Sequence, residues 1–219
     1  MNVKYRPKHR RSILSRITWL LTAFGIIFIC VGLYILLSPI IQNMLSIRDQ
    51  EKALSEWKVN AEEYTEKLNE IKEEQNIGLQ EEEQPATFPL RLLIPSLNLD
   101  VIVSEGTDRE ALKNGPGHII GTSYPGSIGT VAISGHRTTY GAPFANLDKL
   151  KPGDEILLIA LDATYTYEVT ELRIVKPTDT QVLDPTPYPS LVLTTCSPKY
   201  SARERLIVFA KMIEETENK

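Results

Sequence analysis

Residues 17–41 form an apolar run of 25 residues that no charged side chain interrupts. About 20 such residues, wound as a helix, cross the hydrocarbon of a bilayer. Trp19 and Tyr34 lie toward the two ends of the run, where amphipathic rings settle at the interface. Lys4, Arg6, Lys8, Arg10, Arg11 and Arg16 precede it, whereas Arg48 and Lys52 behind it are mixed with Asp49 and Glu51. That asymmetry predicts a basic cytoplasmic tail over 1–16, a transmembrane anchor over 17–41 and everything later outside the cell. A cleaved signal peptide is the alternative. Its apolar core is ordinarily about 7–15 residues and is followed by a small-x-small cleavage site, and neither feature is present.

The 219 residues carry a net charge of −4, unevenly spread: +7 over 1–48, −8 over 49–84 and −3 over 88–219. The part expected to fold is not basic, so there is no electrostatic footprint for nucleic acid. Residues 45–75 are rich in Glu, Lys, Ala and Leu and read as helix; with the residues joining them to the anchor they form a helical stalk over 42–75. Leu54, Trp57, Ala61, Tyr64, Leu68 and Ile71 recur at spacings of three and four. The stripe extends for about two and a half heptads, short of what a stable coiled coil needs. It suits a stalk helix lying on the catalytic domain or on lipid, or self-association through residues 54–71. Gly78 and the run 81–85, three glutamates, a glutamine and a proline, end the pattern. Residues 76–87 are therefore an acidic flexible linker.

From Phe88 the texture changes to short apolar runs punctuated by Pro, Gly and Asn. Strands are expected at 90–94, 99–103, 130–134, 155–160, 165–175, 191–196 and 205–212. A short helix is expected at 108–113, capped by Thr107 or Asp108, with a helical turn at 143–150. The compact run Val131-Ala132-Ile133 is expected to be buried on both faces, while 165–175 alternates and has one wet face. Seven or eight short strands with one or two small helices give a mainly β fold, a closed or nearly closed barrel, over 88–219.

The chain has two cysteines. Cys30 lies in the apolar run, so Cys196, at the end of the strand Leu191-Val192-Leu193-Thr194-Thr195, has no disulfide partner within its own domain. An unpaired thiol in an exported domain is a candidate nucleophile. A thiol has a reference pKa near 8.5, and a neighbouring imidazolium or guanidinium favours the reactive thiolate. His136, about sixty residues upstream, and Arg205, at the start of the next strand, are the groups able to do this. Arg203 competes with Arg205, since two residues apart on a strand share a face. Thr195 is placed to offer a hydroxyl or backbone N–H to an oxyanion. Tyr140 is a further candidate for contact with a substrate, and His118 reads as a turn or barrel-packing histidine, with a place along the substrate groove as the alternative. Asp108, Glu110, Asp162 and Asp179 match no calcium-loop spacing, so no metal and no cofactor are expected.

These residues carry a resemblance. Leu191-Val192-Leu193-Thr194-Thr195-Cys196, with Gly135-His136-Arg137 upstream and Arg205-Leu206-Ile207-Val208 downstream, is similar to the sortase family of cysteine transpeptidases over residues 88–213. His136-Arg137-Thr138-Thr139-Tyr140-Gly141-Ala142-Pro143-Phe144 and Cys196-Ser197-Pro198-Lys199-Tyr200-Ser201-Ala202 most resemble class E sortases. The resemblance implies an eight-stranded sortase barrel. It implies that Cys196 attacks the Thr–Gly carbonyl of a Leu-Pro-x-Thr-Gly or Leu-Ala-x-Thr-Gly sorting signal. His136 would serve as acid and then base, and Arg205 would hold the oxyanion or position the signal. The partners implied are surface proteins bearing that signal and an amine of a peptidoglycan precursor, with membrane lipid around 17–41. A pilin-polymerising sortase would carry a lid with an Asp-Pro-aromatic motif, which 76–89 lacks, and often a C-terminal membrane helix. An L,D-transpeptidase would keep its His and Cys close in sequence. A barrel that binds signals without catalysis would not need all three positions filled.

Overall fold

In a computed structural model, residues 10–74 and 88–218 are described, so residues 1–9 of the basic tail and the whole of the linker 76–87 lie outside the described part. The chain separates into two units, Met1–Gln42 and Asn43–Lys219. One helix, α1 (Arg10–Glu74), carries both the apolar run and the stalk residues, with Pro39 inside it. Where the sequence suggests an anchor and then a stalk, the backbone makes one element. Among the described residues, α1 is the one helix long and apolar enough to cross a membrane. Trp19, Leu20, Phe24, Phe28 and Leu36 are all exposed on it, which fits a single-pass anchor surrounded by lipid.

The second unit is a closed barrel with strand order β1-β2-β3-β4-β7-β8-β6-β5. Its strands are β1 (Leu90–Ile94), β2 (Leu99–Glu105), β3 (Gly117–His118), β4 (Gly129–Ser134), β5 (Glu155–Ile159), β6 (Ala163–Val175), β7 (Pro189–Ser197) and β8 (Glu204–Glu217). Pairing of β1 with β5 closes the ring. The pairs β2–β3 and β4–β7 are parallel and the remainder antiparallel. Leu90, Leu92, Ile94, Ile133, Ile156, Leu158, Tyr167, Leu191 and Leu193 are fully buried in the main core, each aliphatic one contributing roughly 1.5–3 kcal/mol by leaving water.

Alternation works as the sequence suggests. Along β6, Tyr165, Tyr167 and Val169 point into the core while Glu168 and Thr170 are exposed. On β4, Val131 and Ile133 join the main core, whereas Ala132 joins a second cluster with Val175, Val192 and Ile207. Val182 and Leu183, on a 3-10 turn at Thr180–Leu183, pack against that second cluster together with Ile119 and Phe209. β4 is thus covered on both faces.

Two features escape the sequence pattern. β3 has two residues, too few to show a period, and is not among the expected strands. Gly117 is required there because a Cβ would collide with the Gly106 carbonyl. The second feature is the face by which α1 meets the barrel. Trp57 is buried, and Leu54, Ala61 and Tyr64 are half-buried. That part of the apolar stripe packs against its own chain. The face begins earlier, with polar residues that hydrophobic periodicity does not register. Ser46 Oγ donates to the Lys113 carbonyl at 2.9 Å. Gln50 Oε1 accepts from Ile102 N–H at 2.9 Å. The short helix α2 (Arg109–Asn114) is capped by Asp108, whose carboxylate accepts from the Glu110 and Ala111 N–H groups.

Candidate active site

The site is assembled where the parallel pair β4–β7 ends. Register places Ser134 beside Thr194, and backbone bonding carries on past the strand: Gly135 N–H donates to the Thr194 carbonyl at 3.1 Å. The Thr195 hydroxyl, buried, donates to the Gly135 carbonyl at 2.7 Å. These two bonds lock the segment before His136 against the residues before Cys196. On its other side, Cys196 sits opposite Arg205 in the β7–β8 ladder. Residues directly opposite in an antiparallel ladder project to the same face. Their face is that of Val192, Ile207 and Val175, the outer cluster rather than the barrel interior.

His136, Cys196 and Arg205 are each half-buried. Burial alone lowers the His136 pKa below the ordinary 6.5, because charge is disfavoured away from water. The resting ring is therefore neutral at neutral pH and able to accept a proton. The Arg205 guanidinium is steadied by its own turn, Nη1 donating to the carbonyls of Ala202 and Glu204 at 3.1 and 3.0 Å. Arg203 is exposed and precedes the first residue of β8. The expectation that it shares a strand face with Arg205 does not hold, because the strand starts one residue later.

Behind His136, Gly135 has no room for a side chain: a Cβ would stand 2.7 Å from Phe144 Cδ2. Phe144 is fully buried and its N–H donates to the His136 carbonyl at 3.0 Å. The Tyr140 ring packs on the His136 ring, centroids 5.0 Å apart and planes tilted by 40°. Tyr140 is thus next to the imidazole.

Two candidate substrate contacts are placed differently. The Thr195 hydroxyl already donates to Gly135 and is 2 % exposed, so it is a structural tie and not a free oxyanion donor. His118 is fully buried. Its Nδ1 is 3.0 Å from Glu105 Oε1, its Nε2 is 2.9 Å from Thr122 Oγ1 and 3.1 Å from the Ser123 carbonyl, and its ring stacks on Phe88 at 4.5 Å. None of these partners belongs to the His136–Cys196–Arg205 group, and the ring has no open face to offer a peptide.

Sequence reasoning missed Arg137. It is 7 % exposed, Nη1 donating to the Cys196 carbonyl at 3.1 Å and Nη2 meeting Asp148 Oδ1 at 3.1 Å. An arginine is almost never this buried unless it is paired. Its place directly after His136 was the available signal. Among the described residues, no three His, Cys, Asp or Glu side chains gather in a way that would hold a metal ion.

The chain is similar to known proteins over its barrel. The sortase domain model matches residues 92–213. Sortase SrtE1 of Streptomyces coelicolor is 35% identical over 140 residues, covering 57% of this chain and 40% of the relative. Sortase D of Bacillus subtilis is 34% identical over 126 residues, covering 56% of this chain and 62% of the relative. The matched region thus spans less than two thirds of either relative. The crystal structure of sortase E1 from Streptomyces coelicolor with a tripeptide in the active site superposes with a TM-score of 0.55 at 29% identity, covering 61% of this chain and 91% of that one.

Proposed function

The chain belongs to the sortase family, with its similarity running to sortases E and D, and from that premise we propose that it is a membrane-anchored cysteine transpeptidase in which Cys196 is the nucleophile, His136 the proton carrier and Arg205 the oxyanion donor. The substrate is a surface protein bearing a Leu-Pro-x-Thr-Gly or Leu-Ala-x-Thr-Gly signal, cut between Thr and Gly. The acceptor is an amine of a peptidoglycan precursor. Residues 1–16 lie in the cytoplasm, 17–41 cross the membrane, and 88–219 act outside, joined through the stalk 42–75 and the linker 76–87. The basic residues before the apolar run support that orientation.

The observation that carries the reading is the double tie of Gly135 to Thr194 and Thr195 together with Arg205 standing opposite Cys196. It holds an imidazole-bearing loop and a guanidinium on either side of one thiol. In the first half-reaction, Cys196 Sγ bonds to the Thr carbonyl carbon as neutral His136 takes the thiol proton. Negative charge gathers on the carbonyl oxygen, where a charge-assisted donor lowers the barrier by roughly 3–4 kcal/mol. Collapse breaks the C–N bond, and the imidazolium returns its proton to the leaving Gly nitrogen. A thioester remains, which divides a hard amide exchange into two easier steps. In the second half, the acceptor amine attacks the thioester carbon, His136 takes a proton from its nitrogen, and the S–C bond breaks to give the thiol back that proton.

The test is a ligation assay with the full chain in detergent, a labelled Leu-Pro-x-Thr-Gly or Leu-Ala-x-Thr-Gly peptide and a small amine. Amide-linked product from wild type and none from Cys196→Ala supports the reading. Hydrolysis without ligation at any amine concentration overturns the transferase assignment.

A further inference from the structure

The residues that follow His136 adopt an uncommon backbone. Tyr140, Gly141 and Ala142 have φ of 51°, 75° and 48° in succession. Two of the three carry a Cβ, for which this left-handed region is disfavoured. Such a turn persists only where its surroundings over-determine it. Bonds within the loop account for part of the hold: Ala142 N–H donates to Thr139 at 2.9 Å, and Phe144 N–H to His136 at 3.0 Å. The central N–H, that of Gly141, is held from elsewhere. Asn43 Oδ1, 98 residues earlier in the chain, accepts it at 2.7 Å.

On that side of the turn Gly141 faces α1, and a Cβ built on it would stand 3.5 Å from the Ile47 side chain. A cleft of about 350 Å³ opens between α1 and the loop, lined by Ile47, Gln50, Leu54, Tyr140 and Ala142 among others. Asn43 itself sits on a fixed element, because Ser46 and Gln50 fasten the next turns of α1 to Lys113 and Ile102.

We propose that Asn43 is a positioning residue for catalysis: by holding the Gly141 N–H it keeps the Tyr140–Ala142 turn in its left-handed form, and the Tyr140 ring in turn sets the His136 imidazole. The inference rests on the role given to His136 above. It makes the residues just beyond the apolar run part of the active-site framework and more than a tether.

The test uses the full chain in detergent micelles with Asn43→Ala, Asn43→Asp and Ser55→Ala. Asp keeps an oxygen acceptor for the Gly141 N–H. Ser55→Ala changes an exposed position of the same helix, whose hydroxyl donates to the Lys52 carbonyl within that helix. Asn43→Ala should raise hydrogen exchange at the Gly141 amide by about tenfold and move the ring resonance of His136. In the ligation assay it should lower kcat by about three- to tenfold, with KM for the signal peptide within about twofold. Asn43→Asp should restore all three readouts, and Ser55→Ala should leave them at wild-type values. An unchanged Gly141 amide and His136 resonance in Asn43→Ala would overturn the proposal, as would Ser55→Ala reproducing every change. Exchange and resonance decide the positioning claim even if wild type proves unable to ligate, so failure of the activity reading is seen separately.

Discussion

Arg137, the residue after His136, donates from Nη1 to the backbone carbonyl of Cys196 at 3.1 Å. The two candidate catalytic residues are therefore joined by a third side chain that need not touch substrate at all. Its charge is balanced by Asp148, whose side chain is 45% exposed. Arg137→Met keeps the stem and removes both bonds. A hydrogen bond to a charged group is worth about 1.5–3 kcal/mol, so thermal unfolding should show a loss of that size. Asp148→Ala should cost less, since solvent reaches the carboxylate it removes. Equal melting temperatures for Arg137→Met and wild type would show that the buried guanidinium contributes nothing.

Arg205 stands opposite Cys196 with its fork steadied by the carbonyls of Ala202 and Glu204. Lysine keeps the charge and loses the planar fork. Removing one oxyanion donor typically costs about 10²–10³ in kcat. Arg205→Ala should lose that much in kcat, and Arg205→Lys should recover only part of it. The exposed Arg203 provides the control, Arg203→Ala remaining close to wild type. Steady-state ligation kinetics distinguish the two arginines, and a larger loss for Arg203→Ala would reverse their assignment.

Burial lowers the His136 pKa, which fixes the sign of a pH effect. The unfolded chain binds the proton more tightly than the native state does. The stability this contributes is complete above the ordinary value of 6.5 and is lost as pH falls through the lower native value. Relative to His136→Gln, wild type should weaken as pH is lowered from about 7.5 to about 5. The acid limb of kcat/KM, which reports the free enzyme, should have its midpoint below 6.5. An NMR titration placing the native His136 pKa above 6.5 would contradict both expectations.

Gly135→Ala places a methyl 2.7 Å from the Phe144 ring. Overpacking of this kind costs about 1–3 kcal/mol. Since Phe144 also donates to the His136 carbonyl, the displacement should reach the imidazole and reduce turnover. Pairing Gly135→Ala with Phe144→Leu should recover part of the melting temperature lost by the single variant. A double variant no better than the sum of its parts would show that the two sites do not share this contact.

How far the fold was legible follows from what each residue contributes. Strands announced themselves where apolar residues recur: 130–134 and 191–196 by continuous runs, 165–175 by alternation. β3 did not, because two residues have no period and the need for Gly117 is created by Gly106, just past the end of β2. Asp108 was readable as a cap because that bond is local. Asn43, Ser46 and Gln50 were not, because each serves a backbone group more than fifty residues away. At the site, Cys196, His136 and Arg205 stood out by residue type and order. The Thr195 hydroxyl was read as free for an oxyanion, since nothing in the sequence says that Gly135 takes it. For His118, read as a turn or barrel-packing histidine with a groove position as the alternative, the structure gives the packed place, its partners Glu105, Thr122 and Ser123 being ordinary surface types until the barrel closes over them.

The central claim is that the sulfur of residue 196 becomes acylated by a sorting signal. The direct measurement is the intact mass of the full chain mixed with a Leu-Pro-x-Thr-Gly or Leu-Ala-x-Thr-Gly peptide in the absence of amine, followed by hydroxylamine. The account predicts an added mass equal to the peptide through its Thr, mapped to Cys196, released by hydroxylamine as the peptide hydroxamate and absent in Cys196→Ala. An unmodified Cys196 under conditions where the peptide is nevertheless cleaved, or the same adduct persisting in Cys196→Ala, would contradict it.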